Sequence, residues 1–297
     1  VLGSLLVLLS GWVVASKLYA NWSKISSLES CVPIALLVAF GAVAYCIVSF
    51  LLPSAWIILI RNLGAENSSS AWYSIYARSQ IGKYLPGNVF HFAGRHLMGR
   101  ELGVSHSALA GATVFEAAGL IGGACTVSII GGLVGGGGAF RAGYFLILAG
   151  ALTLPFTMNW MLRRSSLRHS LQLPAGSSID LLRAMAPSFL RYMLFFFMSG
   201  VVLLVTLTCL SGWKGLELAG ITICTYAASW VAGYIIPGAP AGVGIRESIL
   251  VLSLTSFIGE PQSLAVALIF RFITVTGDVL FFLSSFRTTA TNFTSGE

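Results

Sequence analysis

From Val32 to Ile60 the sequence carries no charged residue. A helix needs about 20 mostly apolar residues to cross the hydrocarbon of a bilayer, and this run exceeds that length. The pattern recurs. Apolar stretches of spanning length cover 2–22, 32–60, 105–134, 139–161, 188–211, 216–236 and 262–286, which predicts an all-α polytopic membrane protein with about seven spanning helices, a single membrane domain over 1–297. Composition agrees, with 56% of residues hydrophobic and 9% charged, against about 25% charged in a soluble domain. The first run has no basic leader or small-residue cleavage site before the next, so it gives no ground for a cleaved signal peptide. The second run contains Pro33 and Pro53 and is expected to tilt or kink. An eighth apolar stretch, Ser248 to Ile258, is too short to span and reads as half of a re-entrant element.

The net charge of +7 does not point to nucleic acid, because the basic residues lie scattered among the spans with no aromatic-interleaved basic stripe. Their positions speak of topology instead. Arg61, Arg78, Lys83, Arg95 and Arg100 fall in the first long connection, and Arg163, Arg164, Arg168, Arg183 and Arg191 in or beside the second. The opposite connections hold only Lys17, Lys24, Arg141 and Lys214. Ten against four places the two long connections in the cytoplasm and the N-terminus inside. Within the first connection, Ala71–Tyr84 interleaves Trp72, Tyr73, Tyr76 and Tyr84 with Arg78 and Lys83. Aromatic rings beside basic heads suit a helix lying at the headgroup level, with a solvated loop as the alternative. Gly135–Gly138 lacks the Gly-Lys-Ser/Thr of a phosphate-binding loop and reads as an external hairpin.

An internal repeat runs through the chain. Gly82-Lys-Tyr-Leu-Pro86-Gly87 is echoed by Gly233-Tyr-Ile-Ile-Pro237-Gly238, and nine residues after each proline stands an arginine, Arg95 or Arg246. Further on, Ala112-Thr-Val-Phe-Glu116 lines up with Ala267-Leu-Ile-Phe-Arg271. The copies cover about 82–134 and 233–286, and whether they run parallel or inverted stays open. In the second copy, Pro237, Gly238, Gly242 and Gly244 rule out a continuous helix. Such backbone at membrane depth is tolerated only inside protein or against a water-filled cavity, and it can offer N–H groups to an anion. An ordinary surface loop is the alternative.

Glu116, Arg271 and Asp278 sit inside apolar spans, and Arg246 and Glu247 open the short return. Each unpaired charge at a helix centre costs roughly 2.5–3.5 kcal/mol on insertion scales, so these groups must pair or face water. Arg271 and Asp278 are seven apart and share a helix face. Glu116 and Arg271, at equivalent repeat positions, are the expected ion pair, serving structure, ligand binding or both. The five cysteines form no CxxC pair, His91 and His96 are off one helix face, and no HExxH, GxSxG or DxxD motif occurs. No metal, cofactor or enzymatic nucleophile is therefore expected.

The two Pro-Gly segments with Arg95, Arg246-Glu247, Glu116 and Arg271 resemble the flippase-like membrane region of lysylphosphatidylglycerol synthases, over about residues 30–285. Since the sequence ends at Glu297, shortly after its last predicted span, the resemblance is to stand-alone members without the aminoacyl-transferase domain, and lysine transfer is not expected. The resemblance implies two related halves with re-entrant elements around a polar cavity, in a bacterial inner membrane. It also implies movement between leaflets of lipids with anionic head groups, with Arg95, Glu116, Arg246, Glu247, Arg271 and Asp278 as substrate-binding candidates and lipid-biosynthetic enzymes as partners. The alternative is a non-transporting membrane partner that presents lipid-linked sugar to a glycosyltransferase.

Overall fold

The computed structural model describes residues 32–85, 89–135, 178–236 and 240–293. Every helix or turn of helix named below falls within them. The expected spans 2–22 and 139–161, most of the Gly135–Gly138 hairpin, and the breaks at Pro86, Gly87, Pro237 and Gly238 lie outside the described residues.

Among the described residues all regular structure is helical: α1 (Ile34–Ser49), α2 (Leu51–Asn62), α3 (Ser69–Gln80), α4 (Phe90–Glu101), α5 (His106–Val134), α6 (Ser178–Ser211), α7 (Leu216–Ile235), α8 (Ile245–Ile258) and α9 (Glu260–Phe293). Among the described residues five helical stretches are long and apolar enough to cross a membrane: α1–α2 taken together, α5, α6 from Met185, α7, and α9 to Phe286. The protein is thus an all-α, multi-pass membrane protein. Large apolar side chains such as Phe40, Ile47, Leu133 and Leu252 stand exposed on the outer surface, as lipid contact requires.

The run from Val32 to Ile60 breaks at Phe50, between α1 and α2. Pro53 explains the position: it has no N–H to give the carbonyl of Ser49, and its ring crowds that carbonyl. Helical bonding resumes with Ser54 N donating to Phe50 O. Pro33 serves α1 differently, standing just before its first turn, where a missing N–H costs nothing.

The Ala71–Tyr84 segment is helical, but Trp72, Tyr76 and Tyr84 do not lie at a surface, and Tyr73 is half-buried. Ser68 caps α3 by accepting from Ala71 N, and Trp72 and Tyr76, four apart, turn into a core shared with Trp56, Ile60 and Leu109. Trp56 and Trp72 meet edge to face at 5.4 Å. The expected headgroup-level helix is therefore an internal one. The sequence showed aromatic and basic residues together, and burial of the large rings against α2 and α5 decided which way the helix faces.

Two stretches share one order of elements. A 3-10 turn at Ile81–Tyr84 leads into α4, a short turn with Gly103 at φ 82°, and long α5. A 3-10 turn at Pro240–Gly242 leads into α8, a turn with Gly259 at φ 81°, and long α9. At 14 residues, α8 is about 21 Å long, short of the hydrocarbon thickness. Its approach is not helical: Ala241, Gly242 and Gly244 have φ of 49°, 71° and 88°. For alanine that left-handed conformation costs roughly 1–2 kcal/mol. The long α9 packs on α1, α3 and α8, while α7 packs on α5 and α8. These contacts bring both turns and both long helices to one interior region.

Candidate functional site

Among the described residues three ion pairs hold all the interior charges but Arg246. Arg95 of α4 donates through Nη1 to Glu116 Oε2 of α5, and Tyr76 OH donates to Glu116 Oε1 at 2.6 Å. Both charged residues are 1% exposed. The Arg95 guanidinium lies 3.7 Å from the centre of the Tyr76 ring and 5.1 Å from that of Trp56, so aromatic faces supply attraction where water is excluded. Arg271 of α9 has Nε 3.3 Å from Glu247 Oε1 of α8, without the alignment of a hydrogen bond, and its Nη1 donates to Ala241 O at 3.2 Å. The other carboxylate oxygen of Glu247 accepts from Gly244 N at 2.6 Å, fixing the start of α8. Lys83 Nζ and Tyr84 OH donate to the two oxygens of Asp278 at 2.8 and 2.6 Å.

The expected Glu116–Arg271 pair does not form. Equivalent residues of a repeat face each other only if they stand on the axis that relates the copies. Here α4 folds back along α5 through the Leu102–Ser105 turn, so Arg95 reaches Glu116 first. Glu247, on the helix that precedes α9, occupies Arg271 in the same way. The sign is exchanged between the two: the arginine is on the short helix in one and on the long helix in the other.

Glu116, Lys83, Arg246, Arg271 and Asp278 line one cavity of about 60 Å³, together with Tyr45, Tyr84, His91, Trp230 and Thr274. The shared face of Arg271 and Asp278 thus opens on the same space. Behind Arg246 and Arg271 lies a smaller pocket of about 20 Å³ that Glu247 also lines. Arg95, one of the expected head-group ligands, does not line the cavity and is enclosed with Glu116. Arg246 sits with its guanidinium 5.5 Å from the Trp230 ring centre and has no carboxylate partner among the described residues. Its path is cleared by glycine: a Cβ on Gly233 or on Gly242 would come within 2.9 or 2.6 Å of Arg246 Nε. Three N–H positions at this spot, Arg246 Nε and Arg271 Nε and Nη2, are buried without a hydrogen-bond partner. Donors left so cost about 1–3 kcal/mol each, more when charged, unless something accepts from them.

Lys83 and Tyr84 are the residues of the candidate site that the sequence concealed. Both belong to the segment read as interfacial, and the available signal was Asp278 itself, a buried carboxylate whose helix neighbour Arg271 had another claimant in Glu247. Among the described residues no cluster of three or more metal-binding side chains occurs. No family model, no curated protein and no solved structure matches the chain.

Proposed function

We propose that this protein is a membrane lipid translocator that moves an anionic, phosphate-bearing lipid or lipid-linked precursor between leaflets. The observation that carries the reading is the cavity between apolar helices lined by Arg246 and Arg271, two arginines with buried N–H groups that have no hydrogen-bond partner. An arginine fork binds phosphate oxygens bidentately and keeps its charge when buried. Glu247 compensates Arg271 while the site is empty, and Asp278 is held by Lys83 and Tyr84, so the carboxylates do not repel an arriving anion as free charges would. Arg95 and Glu116 act as positioning residues that fix α4 on α5 beside the cavity. Two stretches with the same order of turn, short helix and long helix support a site built between related halves, as in transporters made of repeats. The resemblance to the flippase-like region of lysylphosphatidylglycerol synthases points the same way.

Reconstitution of the pure protein in liposomes, with a labelled anionic lipid followed between leaflets, tests this. Translocation should be lost in Arg246→Gln, which strands no carboxylate and should remain folded, and in Arg271→Gln, whose loss of stability from the stranded Glu247 is read separately by its unfolding midpoint. Binding without movement would favour the non-transporting partner that presents lipid-linked sugar.

A further inference from the structure

The charges around the cavity do not balance. Lys83, Arg95, Arg246 and Arg271 stand against Glu116, Glu247 and Asp278. Among the described residues each of these carboxylates is taken by one cation, and Arg246 is the cation left over. Proton transfer within any of the three pairs leaves that difference unchanged, so among the described residues the interior carries one positive charge as long as each pair keeps its proton. A net charge in apolar surroundings is costly, and its removal by one counter-charge is the largest electrostatic gain the site can offer a ligand. A ligand with two negative charges would reverse the imbalance rather than remove it.

We propose that the site selects its ligand by charge state: it takes a phosphate oxyanion carrying a single negative charge, the form present in a phosphodiester, and discriminates against the dianion of a phosphomonoester. The inference rests on the lipid-translocator reading for the source of the phosphate, but the charge preference follows from the cavity itself. Arg246, with its Nε unpartnered, and Arg271, with Nε and Nη2 unpartnered and only 5% exposed, are the contacts for the oxygens. Glu247 sets the preference. It neutralises Arg271, and its replacement by Gln would leave two uncompensated arginines while keeping an amide oxygen to accept from Gly244 N.

The test measures binding to the purified full-length protein in detergent, by ligand-dependent thermal stabilisation. The probes are short-chain phosphatidylglycerol, short-chain phosphatidic acid at alkaline pH, and inorganic phosphate at mildly acid and alkaline pH. The native protein should bind the phosphatidylglycerol at least about tenfold more tightly than the dianionic phosphatidic acid. Arg246→Gln should lose this binding, Arg246→Lys should keep the order of preference, and Glu247→Gln should reverse it. An equal or tighter fit for the dianion in the native protein would overturn the proposal, as would an unchanged order in Glu247→Gln or no binding of any phosphate probe. If Arg246→Gln does not fold, the reversal in Glu247→Gln decides alone. Inorganic phosphate binding as tightly as the diester at acid pH, and more weakly at alkaline pH, would keep the charge preference and make a free anion the ligand. The liposome assay separates the two ideas: lipid movement without the charge preference refutes this inference only, and the preference without movement refutes translocation only.

Discussion

Arg95 is enclosed by Tyr76, Trp56 and Phe92 and bonded to Glu116 and Ser79. Removing one arm of a buried pair strands the other charge, at a cost of about 3–5 kcal/mol. Arg95→Gln and Glu116→Gln should each lower the unfolding midpoint in detergent steeply. Replacing the pair and its hydroxyl donor together, as Arg95→Leu, Glu116→Leu and Tyr76→Phe, should restore much of the loss, because no buried charge or donor is then left alone. A triple variant no better than the single ones would mean that the pair is favourable in itself. The sequence identified Glu116 as a charge that needs a partner and assigned it Arg271, while Arg95 was counted toward topology and among the head-group candidates. Cost of insertion says that a charge must be met, whereas which charge meets it depends on how the short helices fold back, and apolar periodicity carries no trace of that.

At the scale of elements, α5 and α7 approach at Gly131 and Gly220, where a Cβ on Gly220 would stand 2.7 Å from Gly131 O. Small residues permit this closeness, which is how helices gain contact in a bilayer. Since the obstructing atom is backbone, it cannot turn aside. Gly220→Val should therefore destabilise by roughly 1–3 kcal/mol in unfolding measurements, whereas Gly94→Ala, whose Cβ would meet only Ser79 Cβ at 4.0 Å, should change little. The long helices were legible because run length alone demands them, and the kink before Pro53 because proline chemistry does. The short helix α8 was legible as a short apolar return after a glycine and proline break, whereas α4 left only the break before it. The inward face of α3 was illegible, since Trp72 and Tyr76 carry the same pattern whether the rings meet head groups or α2.

Taken over the whole molecule, two of the basic residues counted toward topology turn out to serve the interior. Removing Lys83 and Arg95 from the ten leaves eight against four, so the expected orientation of the long connections keeps its basis. Lys83 also joins distant parts of the chain, tying the turn before α4 to Asp278 on α9. The charge of the cavity is thus a sum over five elements, and a remote substitution can alter what the site holds. Lys83→Met leaves Asp278 uncompensated and brings the interior to neutrality without touching Arg246 or Arg271. Anion binding should then fall at least about tenfold, since the net attraction is gone. Adding Asp278→Asn restores the single positive charge, and binding should return even though the Lys83–Asp278 pair is absent. Titrating both variants with short-chain phosphatidylglycerol separates the roles. If the double variant stays inactive while folded, Lys83 contacts the ligand itself, and the cavity cannot be described by its net charge.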